Sequence, residues 1–136
     1  MPKVMEGLFE SVLELGNRRL KEQATPEDIA SALHARIAER LASGEPFDLE
    51  AIATAMNMPS RALQWRLEQE ATTYEKVLLL TRVVLAEQYL RDSNHRLTKI
   101  ANLLGFSELS AFTRWSQRQF KMTPSAYRKH LRASKL

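Results

Sequence analysis

Arg61, Gln64, Trp65 and Glu68 recur at helical intervals, and so do Leu109, Ser110, Thr113, Arg114 and Gln117, so each set lines the outer face of one helix. Ser60 opens the first set. The chemistry these types support is directed hydrogen bonding and apolar contact with the edges of base pairs. The Arg114 guanidinium has the fork that matches guanine O6 and N7, worth about 1 to 3 kcal/mol of discrimination; a phosphate contact or a solvated side chain is the alternative. Gln64 is suited to adenine, or to a water-mediated or phosphate role. Trp65 either packs on thymine methyls or folds back onto the core, whereas Trp115 reads as a core residue.

A second group, Lys99, Arg118, Lys121 and Arg128, suits phosphate oxygens, contacts that orient without reading sequence. Residues 1–90 hold 10 lysines and arginines against 14 acids, and residues 91–136 hold 10 against 2. A strongly basic segment of this kind is what counterion release from a polyanion favours.

Other chemistries find little support. There is no cysteine, which removes disulfide frameworks, thiol catalysis and Cys-type zinc sites and points to a reducing compartment, the cytoplasm. His34, His95 and His130 share no ligand spacing, so no metal site is expected. No glycine-rich phosphate loop, nucleophile elbow or carboxylate pair appears, so neither an enzyme nor a cofactor is expected. No apolar run approaches the ~18 residues that cross a bilayer, so no membrane partner is expected.

Such side chains need rigid elements beneath them, and apolar spacings of three and four residues run nearly throughout: the fold is expected to be all-α. A first helix is expected from Met5 to about Gln23. A second starts at Thr25-Pro26-Glu27-Asp28, buries Ile29, Leu33, Ile37 and Leu41, runs to Ser43 and stops at Gly44. Short helices follow at Leu49–Met56, with Asp48 as cap, and Ser60–Glu70. Thr72-Thr73-Tyr74-Glu75 reads as a capping box opening a long helix from Tyr74 to about Asp92, with Val77, Leu78, Thr81, Leu85, Tyr89 and neighbours inward. Helices at Leu97–Leu104, Glu108–Phe120 and from Thr123-Pro124 toward Ala133 complete the chain.

The stretches LEAIATAMNMPSRALQWRL and LTKIANLLGFSELSAFTRWS repeat one another: Ile52 pairs with Ile100, Ala53 with Ala101, Met56 with Leu104 and Met58 with Phe106 at an offset of 48. Past the turn Leu63 pairs with Phe112 at an offset of 49, so the second copy has one extra residue. Two copies of one short helix, turn and helix imply two helix-turn-helix subdomains joined by a long linker helix. Ala53 and Ala101 permit close crossing, Asn57 and Gly105 suit a left-handed turn, and Met58 and Phe106 plug the turn. A linker of about 20 residues spans ~30 Å, close to the ~34 Å between successive major-groove segments on one face of B-DNA.

These residues resemble the C-terminal DNA-binding domain of the AraC/XylS family of bacterial transcription regulators. The resemblance runs from about Leu33 to Arg132 and is most specific in ALQWRLEQEATTYEKVLLLTRVVLAEQYLRDSN and IANLLGFSELSAFTRWSQRQFKMTPSAYRKHL. It implies that Arg61, Gln64 and Trp65, with Ser110, Thr113 and Arg114, form two base-reading faces. It also implies control of transcription initiation, as an activator among the outcomes, with RNA polymerase as a further partner of the DNA-bound protein. Departures stand out. Pro59-Ser60 reverses the usual order, which would start the first recognition helix on a Ser60 cap. Trp65 stands where arginine is common, Arg96 replaces a Ser or Thr cap, Ser116 interrupts an apolar line, and Lys121 replaces a glycine. Residues 25–136 are read as the double helix-turn-helix domain. Residues 1–24 are read as either the remnant of a sensor domain or a dimerising helix, a dimer through a sensor domain absent from this chain being one arrangement. The rival reading is a helical protein-interaction module, suggested by the acidic N-terminal half and by Glu68.

Overall fold

The computed structural model describes residues 28–134. The helix expected at Met5–Gln23 and the Thr25–Glu27 start signal lie outside them. The described residues are helical with no strand: α1 (Ile29–Ser43), α2 (Leu49–Ala55), α3 (Ser60–Gln69), α4 (Tyr74–Asp92), α5 (Leu97–Leu103), α6 (Leu109–Phe120) and α7 (Pro124–Ala133). They divide into two compact units between Thr81 and Arg82, within α4.

In unit 1, α1 buries the stripe Ile29, Leu33, Ile37 and Leu41 that its four-residue spacing dictates. Its first amides find their acceptor far along the chain: the Glu70 carboxylate takes bonds from the Ile29 N–H at 2.7 Å and the Ala30 N–H at 3.0 Å. An anion on the two leading N–H groups satisfies orphan donors and opposes the helix dipole. The helix ends at Gly44, left-handed at φ 77°. Ile52 and Ala53 of α2, Leu63 and Leu67 of α3, and Tyr74 and Val77 of α4 complete the unit's apolar core. The Tyr74 hydroxyl donates to the Phe47 carbonyl.

One polar chain runs through this interior. The Thr81 hydroxyl donates to the Val77 carbonyl at 2.8 Å, so its oxygen is left to accept, and His34 Nδ1 lies 2.8 Å away. With a single hydroxyl hydrogen already used, Nδ1 must carry the proton. Burial lowers the pKa of His34, favouring the neutral ring.

The core of unit 2 is aromatic. Phe106 stacks on Phe112 with centroids 5.7 Å apart, Trp115 lies 5.6 Å from Phe106 and 5.5 Å from Phe120, and Phe120 stacks on Tyr127 at 4.1 Å. Trp115 is therefore the core residue expected. Ser116, which breaks the apolar line, is fully buried and donates to the Met122 carbonyl at 2.8 Å. It thereby fastens the turn that follows α6, where Lys121 is left-handed at φ 61°. Thr123 caps α7 by accepting from the Ala126 N–H at 3.2 Å, with Pro124 in the first turn.

Several local expectations are corrected. Pro59, not Ser60, is the N-cap of α3, and Ser60 is its first helical residue. A hydroxyl one residue beyond Thr72 opens α4: Thr73 accepts from the Lys76 N–H at 3.1 Å, a shift that takes Glu75 out of the reciprocal position. Along α4 the buried positions include Tyr74, Val77, Thr81, Val83, Val84, Ala86 and Leu90, while Leu78, Leu85 and Tyr89 are half-buried. Buried positions change register along α4, so a single inward stripe does not describe it.

Candidate nucleic-acid interface

The same turn is built twice, bond for bond. In unit 1 the Met56 N–H donates to the Ile52 carbonyl at 3.0 Å, Asn57 to Thr54 at 3.0 Å and Met58 to Ala53 at 3.0 Å. In unit 2 Leu104 donates to Ile100 at 3.0 Å, Gly105 to Asn102 at 3.0 Å and Phe106 to Ala101 at 2.9 Å. Each donor and acceptor is displaced by the 48 residues of the sequence repeat. Asn57 at φ 58° and Gly105 at φ 85° supply the left-handed residue. Ala53 and Ala101 are 1% exposed, small where the helices of each unit cross.

The units part company after the turn, where Ser107 is the extra residue. α3 follows Pro59, and α6 follows Glu108 at the equivalent cap with its backbone extended. Neither cap side chain accepts from a backbone N–H of the helix it precedes, and Arg96 before α5 makes no such bond either. Glu108 instead accepts from the Ser110 hydroxyl at 3.1 Å. Unit 2 secures its turn with a cation: Arg82 Nε donates to the Leu104 carbonyl at 2.9 Å, and its guanidinium lies 4.5 Å over the Phe106 ring.

With these anchors the outer faces are well defined. On α3, Leu63 and Leu67 point into unit 1 while Arg61, Gln64, Trp65 and Glu68 are exposed and Ser60 is half-buried. On α6, Phe112, Trp115, Ser116 and Phe120 are buried, Ser110, Arg114 and Gln117 are exposed, and Leu109 and Thr113 are half-buried. No side-chain hydrogen bond or ion pair within the described residues engages Arg61, Gln64, Arg114 or Gln117. Exposed polar groups left uncommitted along a rigid helix are available to a ligand at no cost in broken internal bonds.

Of the cations assigned to phosphate, Lys99, Arg118 and Lys121 are exposed. Arg128 is not disposed that way. Its Nε donates to the Leu90 carbonyl at 2.9 Å and its Nη2 to those of Tyr89 at 3.3 Å and Ser93 at 3.2 Å. A guanidinium that closes the carbonyl end of α4 is a helix terminator, complementing the negative end of its dipole. Burial, and the charge of Arg132 beside it, lower its pKa. Arg132 joins it with a 2.7 Å bond to the Ser93 carbonyl. No sequence signal marks this role, because the carbonyls it serves lie 35 to 39 positions away in the chain. Glu70 and Arg82 were likewise missed, because their partners are distant in sequence.

Two short helices joined by a left-handed turn, the second bearing an exposed polar face, define a helix-turn-helix protein. A family model described as a helix-turn-helix domain matches residues 52–130. VirS, an HTH-type transcriptional regulator of Mycobacterium tuberculosis, is 36% identical over 115 residues, covering 84% of this chain and 34% of its own length. AggR, a transcriptional activator of Escherichia coli, is 32% identical over 79 residues, covering 58% of this chain and 30% of its own. The DNA-binding domain of AdpA, a global transcriptional factor solved in complex with a target DNA, superposes with a TM-score of 0.63 at 27% identity over 79% of this chain and 96% of that one. The chain belongs to the AraC/XylS-type helix-turn-helix family. It spans about a third of the length of the curated relatives it matches.

Proposed function

We propose that this chain binds duplex DNA sequence-specifically to regulate bacterial transcription, with α3 and α6 each entering a major-groove segment, the two segments adjacent along one asymmetric site. The observation that carries the reading is the duplicated turn presenting two outward helix faces, on which Arg61, Gln64, Arg114 and Gln117 have no side-chain partner among the described residues. Base reading falls to Arg61, Gln64 and Trp65 with Ser60 on α3, and to Leu109, Ser110, Thr113, Arg114 and Gln117 on α6. Lys99, Arg118 and Lys121 supply phosphate contacts, which fix register and give the salt dependence. The relatives' names as transcriptional regulators, and the DNA complex of the AdpA domain, support it.

The reading extends to a cytoplasmic, non-enzymatic regulator with RNA polymerase as a second partner. Dimer formation through a sensor domain absent from this chain belongs to the same proposal. No helix among the described residues is long and apolar enough to cross a membrane. Selection from random duplexes, followed by footprinting of the recovered sequence, tests the proposal. Two protected segments about one helical turn apart, with binding that weakens steeply as salt rises, are expected. Protection of a single segment would remove the two-groove arrangement, and the absence of any preferred sequence would remove the function.

A further inference from the structure

Among the described residues one large apolar side chain stands in solvent: Trp65, 60% exposed. Its indole makes no ring contact and no hydrogen bond with them. The option of folding back onto the core is not taken, although Leu63 and Leu67 of the same helix are almost wholly buried. The ring lies on the outer face of α3 beside the exposed Arg61, Gln64 and Glu68.

The repeat identifies what this position does in the other unit. At the offset of 49 that pairs Leu63 with Phe112, Trp65 pairs with Arg114, the exposed guanidinium of α6. The two side chains cannot do the same chemistry. Indole has a single N–H donor and no second one to complete a bidentate bond to guanine. What it offers is a broad apolar plate. In the major groove the base-pair feature that complements such a surface is the C5-methyl of thymine; the remaining groups there are donors and acceptors.

Resting on the DNA-binding reading above, we propose that Trp65 is a specificity-determining residue that reads the C5-methyl of one thymine. Unit 1 then discriminates through apolar contact, where unit 2 discriminates through a charged fork.

The experiment takes the duplex recovered by selection and replaces each thymine in turn with deoxyuridine, which deletes the methyl and leaves pairing unchanged. Affinities of the full 136-residue chain are measured at one salt concentration. One replacement should weaken binding about fourfold, the change that ~0.8 kcal/mol for a buried methyl-sized group corresponds to. In Trp65→Ala that sensitivity should vanish, and in Arg114→Ala it should persist. Because Trp65 is exposed, the substitution leaves the core intact, which circular dichroism checks. Deoxyuridine sensitivity that survives in Trp65→Ala, or none at any thymine while binding stays sequence-specific, overturns the methyl reading alone. Failure of the unmodified chain to prefer any duplex overturns it together with the reading it rests on.

Discussion

Where unit 1 has Trp65, unit 2 has Arg114, and beneath these faces Leu63 and Leu67 stand where unit 2 has Phe112 and Ser116. The charge around them differs too: residues 28–81 carry 5 lysines and arginines against 8 acids, and residues 82–134 carry 10 against 3. Yet the turn between the helices has the same backbone bonds in both. A helix-turn-helix therefore constrains little beyond its small crossing residue, its left-handed residue and the carbonyls they expose. Core chemistry and outer-face chemistry vary around that frame, and the second unit is built to attract a polyanion where the first is not.

That contrast can be sharpened by substitution. The largest effect is expected in the aromatic core: Phe112→Ala should cost about 3 to 5 kcal/mol, near the top of the range for such truncations, because the ring is held between Phe106 and Trp115. Leu63→Ala, at the paired position, should fall within about 2 to 5 kcal/mol. Denaturant unfolding of each variant, followed by circular dichroism, would show the two losses. A loss from Phe112→Ala smaller than that from Leu63→Ala would reverse the expected order of the two.

Arg114→Ala should weaken binding to the selected duplex by about 1 to 3 kcal/mol and relax preference at one base pair. Competition titrations with single-base variants would show it, and a uniform loss across all variants would make Arg114 a phosphate contact instead. Smaller again is the cap that unit 1 alone possesses. Glu70→Ala should lower stability by about 1 kcal/mol, read as an earlier midpoint in denaturant unfolding, since the bonds it removes lie at the start of α1.

The smallest effect is a pH response. Burial lowers the pKa of His34 in the fold, so below its ordinary value of about 6.5 the unfolded chain binds more protons than the folded one. The stabilising contribution is complete above that pH and is lost as pH falls through the folded pKa. Acid titration of unit 1 stability should slope downward on that side, and His34→Gln should flatten it. A slope unchanged by that variant would place the proton uptake elsewhere.

Much of this was legible in the sequence because it is local. The stripe of α1, the paired alanines, the left-handed Asn57 and Gly105, the Gly44 stop and the Tyr74–Asp92 span all follow from spacing and backbone preference. The misses share a different cause. Arg128 looks like any surface cation until the carbonyls of α4 are placed beside it, and Glu70 looks like solvated charge until α1 begins against it. Leu78, Leu85 and Tyr89 are half-buried where Val77 and Thr81 are buried, because α4 contributes to two cores. Trp65 could be assigned to neither core nor surface from its type, and only its surroundings decide it.

The bonds from Arg128 and Arg132 join residues 35 to 39 positions apart. Unit 2 is thus a circuit, its closing helix buckled by two guanidinium groups to the stem from which the unit grows. Cutting the chain ahead of Arg128 would unfasten the buckle and leave the tail of α4 to water, whereas cargo appended past Ala133 would hang from a ring already shut.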